Sequence, residues 1–99
     1  MRTVFLGAYH FDGDPAALVE AHDAMLAGIP ADAIDLHVCV VRDGGITVFD
    51  SCPTIEQFRS FSGGPEFAAA VAGAGLPTPR IEEIGEVHAA QLREAVTSG

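Results

Sequence analysis

The stretch from Asp35 to Pro53, DLHVCVVRDGGITVFDSCP, sets one histidine (His37), two cysteines (Cys39, Cys52) and two acids (Asp35, Asp50) into two apolar runs. Such residue types serve metal ligation, thiol chemistry or imidazole acid–base catalysis, and they also occur as a few polar residues on an ordinary sheet face. The DGG between the runs is a tight-turn signal, so residues 34–42 and 46–52 are expected as the arms of a β-hairpin. If Gly44 and Gly45 form a two-residue turn, Cys39 faces Asp50, His37 faces Cys52, and all four side chains share one face. If Asp43 joins the loop, His37 faces Ser51, Cys39 faces Phe49, and Cys52 moves to the opposite face.

Metal is the weaker reading of this cluster. Structural zinc sites place pairs of ligands two to four residues apart on turns, where the geometry closes to a tetrahedron. Four ligands laid flat on a sheet face seldom do that, so no metal site is expected. Neither register sets Cys39 opposite Cys52, which excludes a disulfide between them. No basic neighbour is visible to activate a thiolate, and the cysteines read as small apolar residues.

Imidazole titrates near neutral pH without special tuning, which makes the histidines the candidate acid–base groups. His37 is the first choice, with His10 at the end of the first strand and His88 in the last. These three either line one region or scatter over both faces of the sheet. His22 falls on the apolar stripe of the first helix and can reach a helix–sheet pocket. Tyr9, the only tyrosine, can polarise a carbonyl or enol, or sit in the core with its hydroxyl satisfied. Phe58, Phe61 and Phe67 complete the candidate ligand-binding set. Glu82, Glu83 and Glu86 read as a solvated edge, and SGGP lacks the lysine of a phosphate loop.

Positioning these residues requires a fold. Ninety-nine residues make one domain. Residues 3–11 are rich in β-branched and aromatic types and read as a strand. Asp14 then caps a helix with Pro15 at its first position, and Gly28 and Pro30 end it. After the hairpin, Thr54 caps a second helix, with Gln57 placed for a capping box and Phe58 and Phe61 pointing to the core. SGGP interrupts that helix, either as a pocket entrance or as a plain break, and Pro65 restarts it. LPTP is a stiff connector, and residues 80–89 supply a last strand before a frayed tail from about residue 90. The order strand, helix, strand, strand, helix, strand predicts an α+β, ferredoxin-like βαββαβ fold with a four-stranded antiparallel sheet.

Composition narrows the partners. The net charge is −9, with 14 acids against five arginines and no lysine. A phosphate backbone and an anionic membrane are therefore poor partners, and lysine Schiff-base chemistry is excluded. Two cysteines make no disulfide scaffold, and no apolar run is long enough to span a membrane. The N-terminus has no signal-peptide pattern, so a cytoplasmic protein is expected. An apolar content of 48% with 19% charged residues is high for so small a domain. Val4, Leu6 and Ala8 alternate with Phe5 and Tyr9, so the first strand is apolar on both sides, as is the run around Cys39. Helices cover one face; a second subunit is the simplest cover for the other, giving a homodimer.

VFDSCPTIEQFRSF, followed by PEFAAAVAGAGLP and EEIGEVHA, resembles the stand-alone dimeric α+β-barrel proteins of the antibiotic-biosynthesis-monooxygenase-like superfamily. The likeness runs from the first strand to about His88 and rests on pattern, with no motif specific to one activity. It implies a dimer with a pocket between sheet and helices, in a group that includes cofactor-independent monooxygenases, isomerases and haem-degrading enzymes. Haem-binding relatives carry a histidine on the second long helix and commonly a tryptophan beside the porphyrin; residues 54–75 hold no histidine and the chain has no tryptophan. Haem is accordingly not expected, nor any other cofactor. Two functions follow as alternatives. One is a monooxygenase, isomerase or cyclase that acts on a small apolar, polyketide-like molecule with a histidine as general base. The other is a non-catalytic dimer that binds a small ligand or another protein.

Overall fold

The computed structural model describes residues 3–30 and 34–91. The chain runs β1 (Phe5–Asp12), α1 (Pro15–Leu26), β2 (His37–Arg42), β3 (Gly45–Cys52), α2 (Ile55–Ser62), α3 (Pro65–Gly73) and β4 (Arg80–Glu86). The strands form one antiparallel sheet in the order β2-β3-β1-β4. This α+β arrangement is consistent with the ferredoxin-like order expected from sequence. Among the described residues no helix is long and apolar enough to cross a membrane. The tail expected from about residue 90 lies, beyond residue 91, outside the described residues.

Helix starts follow their caps. The Asp14 carboxylate accepts from the Ala17 N–H at 3.0 Å, and Pro15 occupies a position whose missing N–H costs nothing. Thr54 accepts from the Gln57 N–H at 3.2 Å and starts α2. Gly63 and Gly64 end α2, and α3 restarts at Pro65 without a side-chain cap.

Alternation along the strands sorts the side chains. Phe5, Tyr9 and Phe11 of β1 and Ile46 and Val48 of β3 point to the helices, where they pack with Leu18, Phe58, Phe67, Val71 and Leu76. Each large apolar side chain so buried contributes about 1.5–3 kcal/mol. Gly7 lies on the same side, and a Cβ there would come within 2.0 Å of the Phe58 ring. Phe58 is fully buried, so only a glycine lets α2 approach the sheet this closely.

Two expectations need correction. Phe61 does not enter the core: it is 51% exposed, with its ring 5.1 Å from that of Phe67. Because α2 stops at Ser62, Phe61 lies at the rim where the two short helices meet. The last strand ends at Glu86 and does not reach residue 89. Its partner β1 begins at Phe5, opposite Glu86, and one further bond, Val87 N–H to the Val4 carbonyl, ends the pairing.

The two sheet edges differ in chemistry. On β4, Glu82, Glu83 and Glu86 are exposed and Ile84 sits in a bulge. On β2, the exposed residues are Val38, Val40 and Val41.

Gly7→Ala is expected to lose about 1–3 kcal/mol of stability, because the buried Phe58 ring must shift to admit the methyl group. Urea denaturation measures this; an unchanged midpoint would mean that the Phe58 ring has room to move.

Candidate functional site

The hairpin closes neither through Gly44–Gly45 nor through a three-residue loop. Arg42 pairs with Gly45, so Asp43 and Gly44 form the turn. Gly44 takes φ +76°, which glycine adopts without strain. Gly45 is needed inside the strand, where a Cβ would meet the Phe11 carbonyl oxygen at 2.0 Å. His37 therefore pairs with Asp50, and Cys39 with Val48. The shift from the Gly44–Gly45 register is an even number of residues, so His37, Cys39, Asp50 and Cys52 still share one face. That face is the helix side.

His37 Nδ1 lies in a short hydrogen bond with the Asp50 carboxylate, both groups being mostly buried. Asp50 in turn lies beside Gly7 on β1, so no side chain intrudes on it from that strand. From above comes His22. It follows Leu18 by one helical turn on α1, and these two are the buried residues of that helix. Its Nε2 is 2.9 Å from His37 Nε2, and its Nδ1 is 3.0 Å from the Asp23 carboxylate at the exposed end.

The two imidazoles are nearly parallel, at 11°, with centres 5.1 Å apart. With Nε2 atoms 2.9 Å apart, such a separation requires the rings to meet edge to edge, in line. One N–H pointing at one lone pair fits that distance. A tetrahedral zinc ion at about 2.0–2.1 Å from each nitrogen would hold them roughly 3.3 Å apart with both lone pairs converging on it, and rings that face each other in line do not fit it. Among the described residues no group of three or more His, Cys, Asp or Glu is arranged to hold a metal ion. The result is a chain from solvent inward, Asp23–His22–His37–Asp50, suited to holding and passing a proton.

Beyond its inner end lie Cys52 and Tyr9. The Tyr9 hydroxyl is buried without a hydrogen-bond partner among the described residues. Burial, then the charge of Asp50, keeps this phenol firmly protonated. Burial also raises both thiols, with Asp23 adding to the effect at Cys39 and Asp50 at Cys52. Neither cysteine is activated as a nucleophile, in line with the packing role read from the sequence.

The other expected histidines are elsewhere. His10 projects from the opposite face, between Glu82 (2.9 Å) and the Thr47 hydroxyl (3.0 Å). Acid, imidazole and hydroxyl are in sequence, but Thr47 is buried and its oxygen also accepts from Arg42 Nε. Arg42 and Arg80 both continue to Asp12, so the network ties all four strands together. His88 is exposed beyond β4, at the end of the sheet far from His10. The three histidines thus scatter, and the partner of His37 is the one expected only as a pocket residue. The signal for that pairing was the Leu18/His22 spacing.

Two cavities lie away from the histidine pair. One, of about 160 Å³, is lined chiefly by Phe67, Val71, Leu76 and Ile81 beside β4. The other, of about 450 Å³, lies between Phe5, Ile55 and Glu86 at one end of the sheet. Of the expected ligand-binding residues, Phe67 lines the first cavity, while Phe58 fills the core between Phe5 and Tyr9.

Comparison with protein-family models, curated proteins and solved structures gives no match.

Folding raises both thiols, so the folded chain retains protons that the unfolded chain has released. This stabilisation is complete below the ordinary thiol range and is lost as pH rises through the folded values. Between about pH 8 and about pH 10, the Cys39→Ala/Cys52→Ala variant is expected to lose less stability than the parent in urea titrations. Parallel losses would show that the thiols are not the cause.

Proposed function

We propose that the chain is a cytoplasmic, dimeric α+β-barrel protein of the antibiotic-biosynthesis-monooxygenase-like kind. It removes a proton from a small apolar, aromatic or polyketide-like molecule, with His37 as general base and neither metal nor organic cofactor. The observation that carries this reading is the Asp23–His22–His37–Asp50 chain. Asp50 orients the His37 ring and favours the tautomer with Nδ1–H, which leaves the basic lone pair on Nε2. His22 is the group that Nε2 meets in the resting state, and a substrate proton takes its place. Tyr9 supports the same reading from the inner side. Burying a hydroxyl without a partner costs about 1–3 kcal/mol, and a phenol kept protonated is suited to donate to a developing enolate or phenolate oxygen. Oxygenation, isomerisation and cyclisation all begin with that anion.

The dimer half of the proposal rests on the open face. Leu6, Val38, Val40 and Phe49 form its apolar part, and His10, Asp12, Arg42 and Arg80 a polar end. Arg42 and Arg80 there are ion-paired to Asp12, and Glu82 is bonded to His10. On a chain of net charge −9, this face holds acids and arginines in balance, so a second copy approaches it with little repulsion. Apolar surface with polar groups at its edge is found at protein interfaces.

A non-catalytic ligand-binding dimer is the second reading. It is favoured by the cavity beside β4, which is apolar and contains no histidine.

Deuterium uptake from solvent into an enolisable aromatic ketone or quinol, followed by NMR, separates the two. The parent is expected to accelerate exchange, and His37→Ala and Asp50→Asn to lose about 100- to 10,000-fold. Tyr9→Phe is expected to slow exchange while raising thermal stability. A parent protein that accelerates nothing leaves the binding reading in place, and a Tyr9→Phe variant with unchanged rate removes the phenol from the reaction.

Sedimentation is expected to give twice 10.3 kDa for the parent. Val40→Asp is expected to give the monomer; a monomeric parent would remove the dimer.

A further inference from the structure

We infer that the His22–His37 bond is an acid-released latch that fastens α1 to the sheet. The inference goes beyond the catalytic reading and does not require the chain to be an enzyme.

The pair has four ring nitrogens, and their partners fix how many protons they hold. Both Nδ1 atoms face carboxylates, Asp23 for His22 and Asp50 for His37, and a carboxylate only accepts. Each Nδ1 in these contacts therefore carries its hydrogen. The in-line contact between the Nε2 atoms needs one hydrogen more, no fewer and no more. The closed pair then holds three protons and a single positive charge between two carboxylates. Withdrawing one proton is tolerated, because Asp23 is 57% exposed and can turn to water while His22 keeps its Nε2–H for His37. Adding a fourth proton is not tolerated. Two N–H groups would then face each other at 2.9 Å, each on an imidazolium.

The groups around the pair do not relieve that clash. Asp23 comes from α1 itself, Cys39 lies beside His37 on β2, and Asp50 and Cys52 lie on β3, with Tyr9 facing them from β1. Asp50 already binds His37 Nδ1, and the thiols and phenol stay neutral. The rings must therefore part. His37 is held on a strand paired along its length, whereas His22 belongs to a helix whose only other buried residue is Leu18. It is the last half of α1 that moves, and it uncovers His37 Nε2.

Hydrogen exchange of backbone amides, corrected for intrinsic rates, tests this between about pH 7.5 and about pH 5. Protection in residues 20–26 is expected to fall about tenfold in acid relative to β1 and β3. In His22→Leu, which keeps the apolar contact and cannot titrate, the acid-specific loss is expected to vanish. Imidazole ¹⁵N spectra of the parent give a second readout, since the signal of the shared proton must disappear together with α1 protection. Protection that stays constant in the parent, or falls equally in His22→Leu, overturns the latch. Deuterium uptake into substrate is a separate measurement, so the latch and the catalytic reading can fail independently.

Discussion

The polar chemistry of the helix side depends on one cross-strand pair, Asp50 beside His37. A carboxylate set on the core side of a sheet must find a donor, because leaving it unpaired there is costly. His37 supplies that donor and is thereby held in one tautomer. It then presents its remaining nitrogen upward, where α1 must offer a matching group. His22 meets that requirement because it lies one turn beyond Leu18, and Leu18 is anchored in the core. Turn, strand pairing, helix position and protonation state are thus linked, and a change of one residue in the Asp43–Gly44 turn would undo all of them.

The helix layer divides the molecule into two regions with different materials. Near β2, α1 covers histidines, an aspartate and a thiol. Near β4, α3 covers an apolar cavity lined by Phe67 and Val71. Tyr9 on β1 lies between, with its ring packed against Phe58 and Phe67 and its hydroxyl within the electrostatic reach of Asp50. A ligand that filled the apolar cavity would be separated from His37 by the width of two strands. The phenol is a polar group placed between the two regions.

Much of this was legible in the residues. Caps at Asp14 and Thr54, the break at SGGP and the alternation of the strands follow from local chemistry, and they suffice for element order and sheet side. The facing of the hairpin was left open between two registers: the observed pairing keeps the face of the Gly44–Gly45 turn, and the three-residue loop would have moved Cys52 to the other side. The partner of His37 was not legible. Choosing between Asp50, Ser51 and Cys52 depends on which glycine turns and which lies under the Phe11 carbonyl, a contact 34 residues away in sequence. The expectation for Phe61 failed for a similar reason. Helical spacing sets its direction, but the stop at Gly63 removes the helix that would have covered it. His10 and His37 lie on opposite faces because β1 and β3 pair with Gly7 beside Asp50, a register that no local pattern encodes.

The unequal edges of the sheet bear on how copies of this chain can add to one another. A strand edge offers unpaired backbone groups to any other strand, and acidic side chains and bulges discourage such pairing. Here β4 has both deterrents and β2 has neither. Two copies joined through β2 would use up the receptive edge of each and present an acidic, bulged strand at either end. Growth by strand addition would stop at the pair. In such a pair the asymmetry would act as a chain terminator, compatible with a finite assembly and incompatible with a fibre.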